Sequence, residues 1–277
     1  LKSKSLLPLL FYAVIPFIFI LILFRISKIA GVVAILAYLA LILLANLNLI
    51  YRMKAQMEYG KGNLKEAERW FKKAAGSKKA AADILVSYGF VLFKEGKLEE
   101  AEKVLGQAVE KSRNRDERNL AKSNLALVVW KKGDLDKAFE MLNEVISEYK
   151  TTAVYGSLGY LAIEKGDLDE ALKINLEAYE YNSDNAIILD NLAHLYHLRG
   201  ETDKAGELFE KLMEKEPSFP EAYYDYGRYL EDAEDTGKAR EMYQRALKCS
   251  FNFNTTITRE EVQSALDRLS PESGENN

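Results

Sequence analysis

The chain has 277 residues, 48% of them hydrophobic, with 38 Lys and Arg against 42 Asp and Glu for a net charge of −4. Its single cysteine, Cys249, excludes an intrachain disulfide and a Cys-rich zinc site. Residues 1–50 contain no Asp or Glu and only the cations Lys2, Lys4, Arg25 and Lys28, so residues 51–277 carry −8, an acidic body that argues against non-specific nucleic-acid binding.

The first fifty residues hold two uncharged stretches, Leu6–Phe24 and Ile29–Ile50, each close to the ~20 residues that cross a hydrocarbon core ~30 Å thick. Arg25-Ile-Ser-Lys28 between them is short enough to be only a hairpin turn. A signal peptide is the rival reading, but the run exceeds the h-region length of ~7–15 residues and a second apolar span follows it. The expectation is an uncleaved membrane anchor over residues 1–50. Lys2, Lys4, Arg52, Lys54, Lys61 and Lys65 flank the outer ends of the hairpin, against only Arg25 and Lys28 in its turn. That bias places both termini in the cytoplasm. A re-entrant hairpin bent at Pro16 would leave the following chain on the same side, whereas a single span would invert it. With no Gly or Pro between Gly31 and Tyr59, the second span is expected to continue as one helix into the body.

From residue 51 to about 250 an alanine returns as Ala67, Ala101, Ala138, Ala171, Ala205 and Ala239, at gaps of 34, 37, 33, 34 and 34 residues. A period in this range is the mark of a stacked array of helix pairs. Each alanine follows a turn such as Gly62-Asn-Leu, Gly96-Lys-Leu, Gly133-Asp-Leu or Gly166-Asp-Leu. There Gly is expected to end one helix in a left-handed conformation and Asn or Asp to cap the next. Four residues after the alanine stands a bulky residue (Phe71, Leu105, Leu142, Phe209, Tyr243), and three further an apolar one, which lines one helical face. Asn175 holds the bulky position of the fourth unit and is expected to leave a small polar gap. Before each turn, a small residue recurs as Ala55, Gly89, Ala126, Gly159, Ala193 and Gly227, usually after a large one.

The large-small pair, the Gly-Asp/Asn-Leu turn and the Ala/bulky/Ala triplet, six times in phase, resemble the tetratricopeptide repeat family over about residues 48–250. The resemblance implies an α-solenoid of about six helix pairs (51–250), and with the transmembrane helical hairpin read from the apolar stretches (spans about 6–24 and 29–50) the whole chain is expected to be all-α. Departures are a displaced Gly237 in the sixth unit and three extra residues in Lys111–Glu117, expected as a longer loop. Thr258-Arg-Glu-Glu261 is a capping-box start, so residues 251–270 are expected to supply a capping helix with Val262, Ala265, Leu266 and Leu269 as its apolar stripe. Residues 271–277 are expected to be a disordered tail.

The resemblance also implies that the first helix of each pair lines a concave groove. By repeat register alone, the partner-binding positions fall on Ser87, Phe90, Asn124, Leu127, Trp130, Tyr160, Asn191, His194, Tyr224 and Arg228. Phe90, Phe93, Trp130 and Tyr160 would make its middle aromatic, with Asn124 and Asn191 placed to bond a peptide backbone. The Lys and Arg that related arrays use to grip a terminal carboxylate are missing at these positions. Asp190, His194 and His197 share one helical face at metal-ligand spacing, yet polar residues are expected on a groove face anyway. No metal, cofactor or catalysis is therefore expected. The reading is a bacterial membrane-anchored scaffold that binds a protein or peptide at the cytoplasmic face of the inner membrane, without nucleic acid. The alternative is a structural subunit of an envelope or secretion complex.

Overall fold

The computed structural model describes residues 14–76 and 80–269. The start of the first expected span, Lys2 and Lys4, and the tail 271–277 lie outside the described residues. Fifteen helices and no strands occur among the described residues. They divide into two compact units at Ala80/Ala81.

The first unit holds α1 (Ile15–Ile26), α2 (Lys28–Ala45), α3 (Leu47–Gly60) and α4 (Leu64–Ala75). The hairpin turn is tighter than expected. Arg25 and Ile26 finish α1, Lys28 opens α2, and Ser27 alone is extended, its Oγ accepting from the Ala30 N–H. Pro16 is the second residue of α1. Gly31 gives the Phe24 ring its room: a Cβ there would lie 2.3 Å from Phe24 Cγ. The expected continuous helix is interrupted at Asn46 (φ −109°, ψ 12°), whose Nδ2 donates to Ile42 O at 2.7 Å. A short amide side chain competes here with the backbone ladder, and the apolar helix stops at 18 residues. Beyond the break, α3 and α4 form a helix pair around Ala55, Ala67, Phe71 and Ala74, all buried.

The second unit contains five further pairs. They are α5 (Ala82–Lys94) with α6 (Leu98–Lys111), α7 (Arg115–Lys131) with α8 (Leu135–Glu148), α9 (Thr152–Glu164) with α10 (Leu168–Tyr181), α11 (Ala186–Leu198) with α12 (Thr202–Met213), and α13 (Pro220–Asp232) with α14 (Thr236–Lys248). Helix α15 (Arg259–Arg268) follows. All six periodic alanines are fully buried. Each marks where two helices approach too closely for a larger side chain.

The turns within five of the six pairs close by the same two backbone bonds, and the α9–α10 turn keeps the first of them, from Gly166 N to Ile163 O. Gly96 N donates to Phe93 O at 2.9 Å and Lys97 N to Leu92 O at 3.0 Å, with φ +75° at Gly96. In the sixth pair Glu234 takes this left-handed position (φ +62°), and its neighbour Asp235 caps α14 by accepting from Lys238 N. The displaced Gly237 thus lies inside the helix and does not form the turn. Asp134 and Asp167 cap as expected, but Asn63 does not, because its Nδ2 donates to Glu58 Oε2.

Two further expectations are corrected. The three extra residues do not enlarge a loop: α6 runs to Lys111 and α7 starts at Arg115, so they lengthen α7 to 17 residues. Asn175 leaves no gap either. Its side chain is completely buried, with Nδ2 donating to Gly159 O (3.1 Å) and Ala171 O (2.9 Å). Gly159 faces it as Gly89 faces Leu105 and Gly227 faces Tyr243. At the end of the array, Thr258 and Glu261 form the full capping box of α15, which buries Val262 and Ala265 against Tyr243 and Ala246.

Candidate functional site

Within the second unit the first helices of the pairs form one row, with α5 against α7, α9 against α11, and α11 against α13, while α7 meets α9 through Trp130 and Tyr160. Its exposed face brings together most of the residues placed there by register. Trp130 and Tyr160 meet edge to face at 5.4 Å, and Phe90 stacks on Phe93 at 6.3 Å. Phe90, Trp130, Tyr160, Leu127, Ser87, Asn124, His194 and Tyr224 are half-buried, whereas Arg228 is exposed. Tyr224 lies 5.7 Å from the Tyr243 ring and beside Arg228, whose pKa it raises.

The two asparagines differ. Asn124 spends its Nδ2 on Leu120 O one turn back, at 2.8 Å, but remains accessible. Asn191 is 5% exposed, and its Nδ2 donates to Gly156 O at 2.8 Å, tying α11 to α9. The histidines separate likewise. His194 Nδ1 lies 3.5 Å from Asp225 Oδ1, and His197 Nε2 lies 2.8 Å from Asp232 Oδ2. Among the described residues no three His, Cys, Asp or Glu side chains converge where a metal ion could be held.

Asp190 is 6% exposed, and its Oδ1 has no hydrogen-bond partner among the described residues. Burial, then the charges of Asp225 and Glu221, push its carboxyl well above the usual carboxylate range. Asp225 is raised by burial as well, with His194, Arg228 and His197 pulling the other way.

Sequence reasoning missed what crosses this face. Between α14 and α15 the stretch Ser250–Ile257 is not helical. It extends over the row of first helices. The Phe253 ring meets Phe93 edge to face at 5.9 Å and covers Gly96, where a Cβ would lie 2.9 Å from it. Lys131 Nζ, at the end of α7, donates to Thr255 O at 3.1 Å while lying 4.4 Å above the Trp130 ring. Thr256 N donates to Glu221 Oε1 at 2.7 Å, and its hydroxyl donates to the same oxygen at 3.2 Å. The Tyr160 phenol stands within reach of Thr256 and Glu164, and its pKa is pushed up by burial first and then by the Glu164 charge. Burial pushes Lys131 down, with Glu221 and Glu164 opposing. The one visible signal was composition: Phe251-Asn-Phe-Asn-Thr-Thr-Ile257 is uncharged and carries two aromatics, which is unusual for a plain connection.

Models of the tetratricopeptide repeat match residues 91–153 and 191–250, and another such model matches residues 152–185. The chain belongs to the tetratricopeptide repeat family. A TPR repeat-containing protein of Methanocaldococcus jannaschii is 30% identical over 93 residues, covering 33% of this chain and 16% of that protein. Photosystem I assembly protein Ycf3 of Prochlorococcus marinus is 32% identical over 108 residues, covering 35% of this chain and 62% of its own length. The chain therefore spans less than two thirds of either relative. Among solved structures, the APC/C hetero-tetramer Cut9–Hcn1 shares the fold at a TM-score of 0.66 and 15% identity, over 80% of this chain and 42% of that one. Tetratricopeptide arrays stack their units into superhelices whose curvature creates extended concave surfaces.

Proposed function

We propose that this tetratricopeptide protein is a membrane-anchored scaffold that holds a protein or peptide partner on its concave face at the cytoplasmic side of the membrane. The observation that carries the interaction role is the half-buried aromatic stretch Phe90–Trp130–Tyr160 on the row of first helices, bordered by Lys131 and Glu221. Rigid aromatics flanked by polar groups are the usual anchors of a partner segment. The names of two related proteins, one an assembly protein and one a member of a hetero-tetramer, agree with such a role.

Anchoring is supported by α2, an 18-residue apolar helix that buries only Gly31 and leaves Ile29, Val33, Leu36 and Leu41 more than half exposed. At 1.5 Å per residue it is about 27 Å long, near the thickness of a hydrocarbon core. Charge supports the orientation. The pair α3–α4 carries Arg52, Lys54, Lys61, Lys65, Arg69, Lys72 and Lys73 against Glu58, Glu66 and Glu68. Lys54 and Lys73 also lie 4.4 and 4.3 Å over Trp70, the amphipathic pairing found near anionic headgroups.

Capture from native membranes with the full chain, followed by mass spectrometry, tests the groove. Trp130→Ala with Asn124→Ala is expected to lose the captured partner while helicity and melting stay unchanged. Undiminished capture would overturn the groove assignment. Protease protection of the body in inverted vesicles would overturn the orientation.

A further inference from the structure

The stretch Ser250–Ile257 is held firmly at both ends and lightly in the middle. Phe251 and Ile257 pack into the terminal core with Tyr243 and Val262. Arg259 clamps the entry, donating to Leu247 O at 2.7 Å and Cys249 O at 3.4 Å. The tip is a small self-contained turn: Thr255 N donates to Asn252 O, Asn252 N to Thr255 Oγ1, and Asn254 N to Asn252 Oδ1. Its hold on the groove comes chiefly from three separate contacts. These are the Phe253 edge on Phe93, the Thr255 carbonyl on Lys131, and the Thr256 N–H and hydroxyl on Glu221. Phe253 is still 38% exposed, and Asn252 and Asn254 are exposed.

We propose that this loop is an internal occupant of the partner groove, and that a partner binds by displacing it with a segment of the same chemistry that adopts the same turn. The segment presents an aromatic side chain, a main-chain carbonyl two residues later, and a hydroxyl residue after that. Each contact the loop makes is one a peptide holding the same turn makes in trans. An aromatic ring fits the corner between Phe93 and Gly96, where any side chain larger than hydrogen would meet it. Lys131 offers an ammonium donor to a backbone carbonyl, and Glu221 accepts an N–H and a hydroxyl from one residue. With the loop lifted, Glu221 and Glu164 remain beside Lys131 as countercharges, so the emptied groove carries no isolated buried cation. Because the turn holds its own hydrogen bonds and both ends are clamped, the tip can leave without unravelling α14 or α15.

The inference rests on the groove reading above, and its test separates the two. A dye-labelled peptide of residues 250–257 is titrated by fluorescence anisotropy into the full chain in detergent, as wild type, as F253A/T256A, and as F253A/T256A with K131A. Loop release is expected to tighten peptide binding by about tenfold or more, and K131A to reverse that gain. Equal affinity in wild type and F253A/T256A, no binding to the released variant, or a gain indifferent to K131A would each overturn displacement. Circular dichroism melting confirms that the variants fold, and F253A alone, which alters a partly exposed side chain, gives an independent reading. If peptide binding ignores loop release while Trp130→Ala still abolishes capture from membranes, displacement fails and the groove reading stands. If capture survives Trp130→Ala, the groove reading fails.

Discussion

Replacing Asn175 with leucine should stabilise the array. Asn175 stands where other units place Leu105, Leu142 or Phe209, in a completely buried site. Its Oδ1 has no partner among the described residues. A buried polar atom left unpaired costs about 1–3 kcal/mol, and burying a Leu side chain contributes about 1.5–3 kcal/mol. Against these stand the two Nδ2 bonds to Gly159 O and Ala171 O, each worth about 0.5–1.5 kcal/mol. Both carbonyls lie within helices and keep their backbone bonds. Space is available because the side chains have the same branched shape and Gly159 lacks a Cβ, as Gly89 does opposite Leu105. The net gain is about 2 kcal/mol, which raises the melting temperature by about 4–8 °C in a unit of this size. Urea unfolding followed by far-UV circular dichroism reads it as a higher midpoint at unchanged slope. An unchanged or lower midpoint would show that Asn175 is stabilising and refute the reasoning.

Three other substitutions test separate points. Gly89→Ala places a Cβ 2.5 Å from Leu105 Cγ and should destabilise by about 1–3 kcal/mol in the same urea assay. Glu234→Gly relieves a left-handed residue (φ +62°) and should raise the urea midpoint by the equivalent of about 0.5–1 kcal/mol. Asp190→Asn addresses pH. The folded Asp190 carboxyl titrates above the unfolded one at about 3.9, so the native state holds its proton longer, and its ionisation costs stability as pH rises from about 4 towards neutrality. Relative to wild type, the variant should gain midpoint progressively over that window, and a constant difference across pH would sink the assignment.

The repeating alanines made the helix pairs legible because close helix packing leaves no substitute for a small side chain. The capping box at Thr258 was legible for a similar reason, since its bonds lie within four residues. The break at Asn46 was not, because a single amide can face outward or compete with its own backbone, and periodicity is blind to the choice. The same holds for Glu234, which took a conformation that sequence reasoning reserves for glycine. Register placed Trp130 and Tyr160 on one face, where they meet, but it could not tell that Asn191 is consumed by Gly156. Lys131, Glu221 and Thr256 escaped because their association spans 124 residues in one case and 35 in the other. Local patterns hold no record of such distances.

Linear repeat arrays unfold by fraying, since each unit answers only to its neighbours. The contact of Phe253 with Phe93 changes that rule within the second unit. It ties the segment following the last pair to the first, so opening either end releases a bond made by the other. Such a clasp couples the two ends of the unit through one contact between aromatic rings. If a partner lifts the loop as proposed, the coupling between the two ends is lost with it.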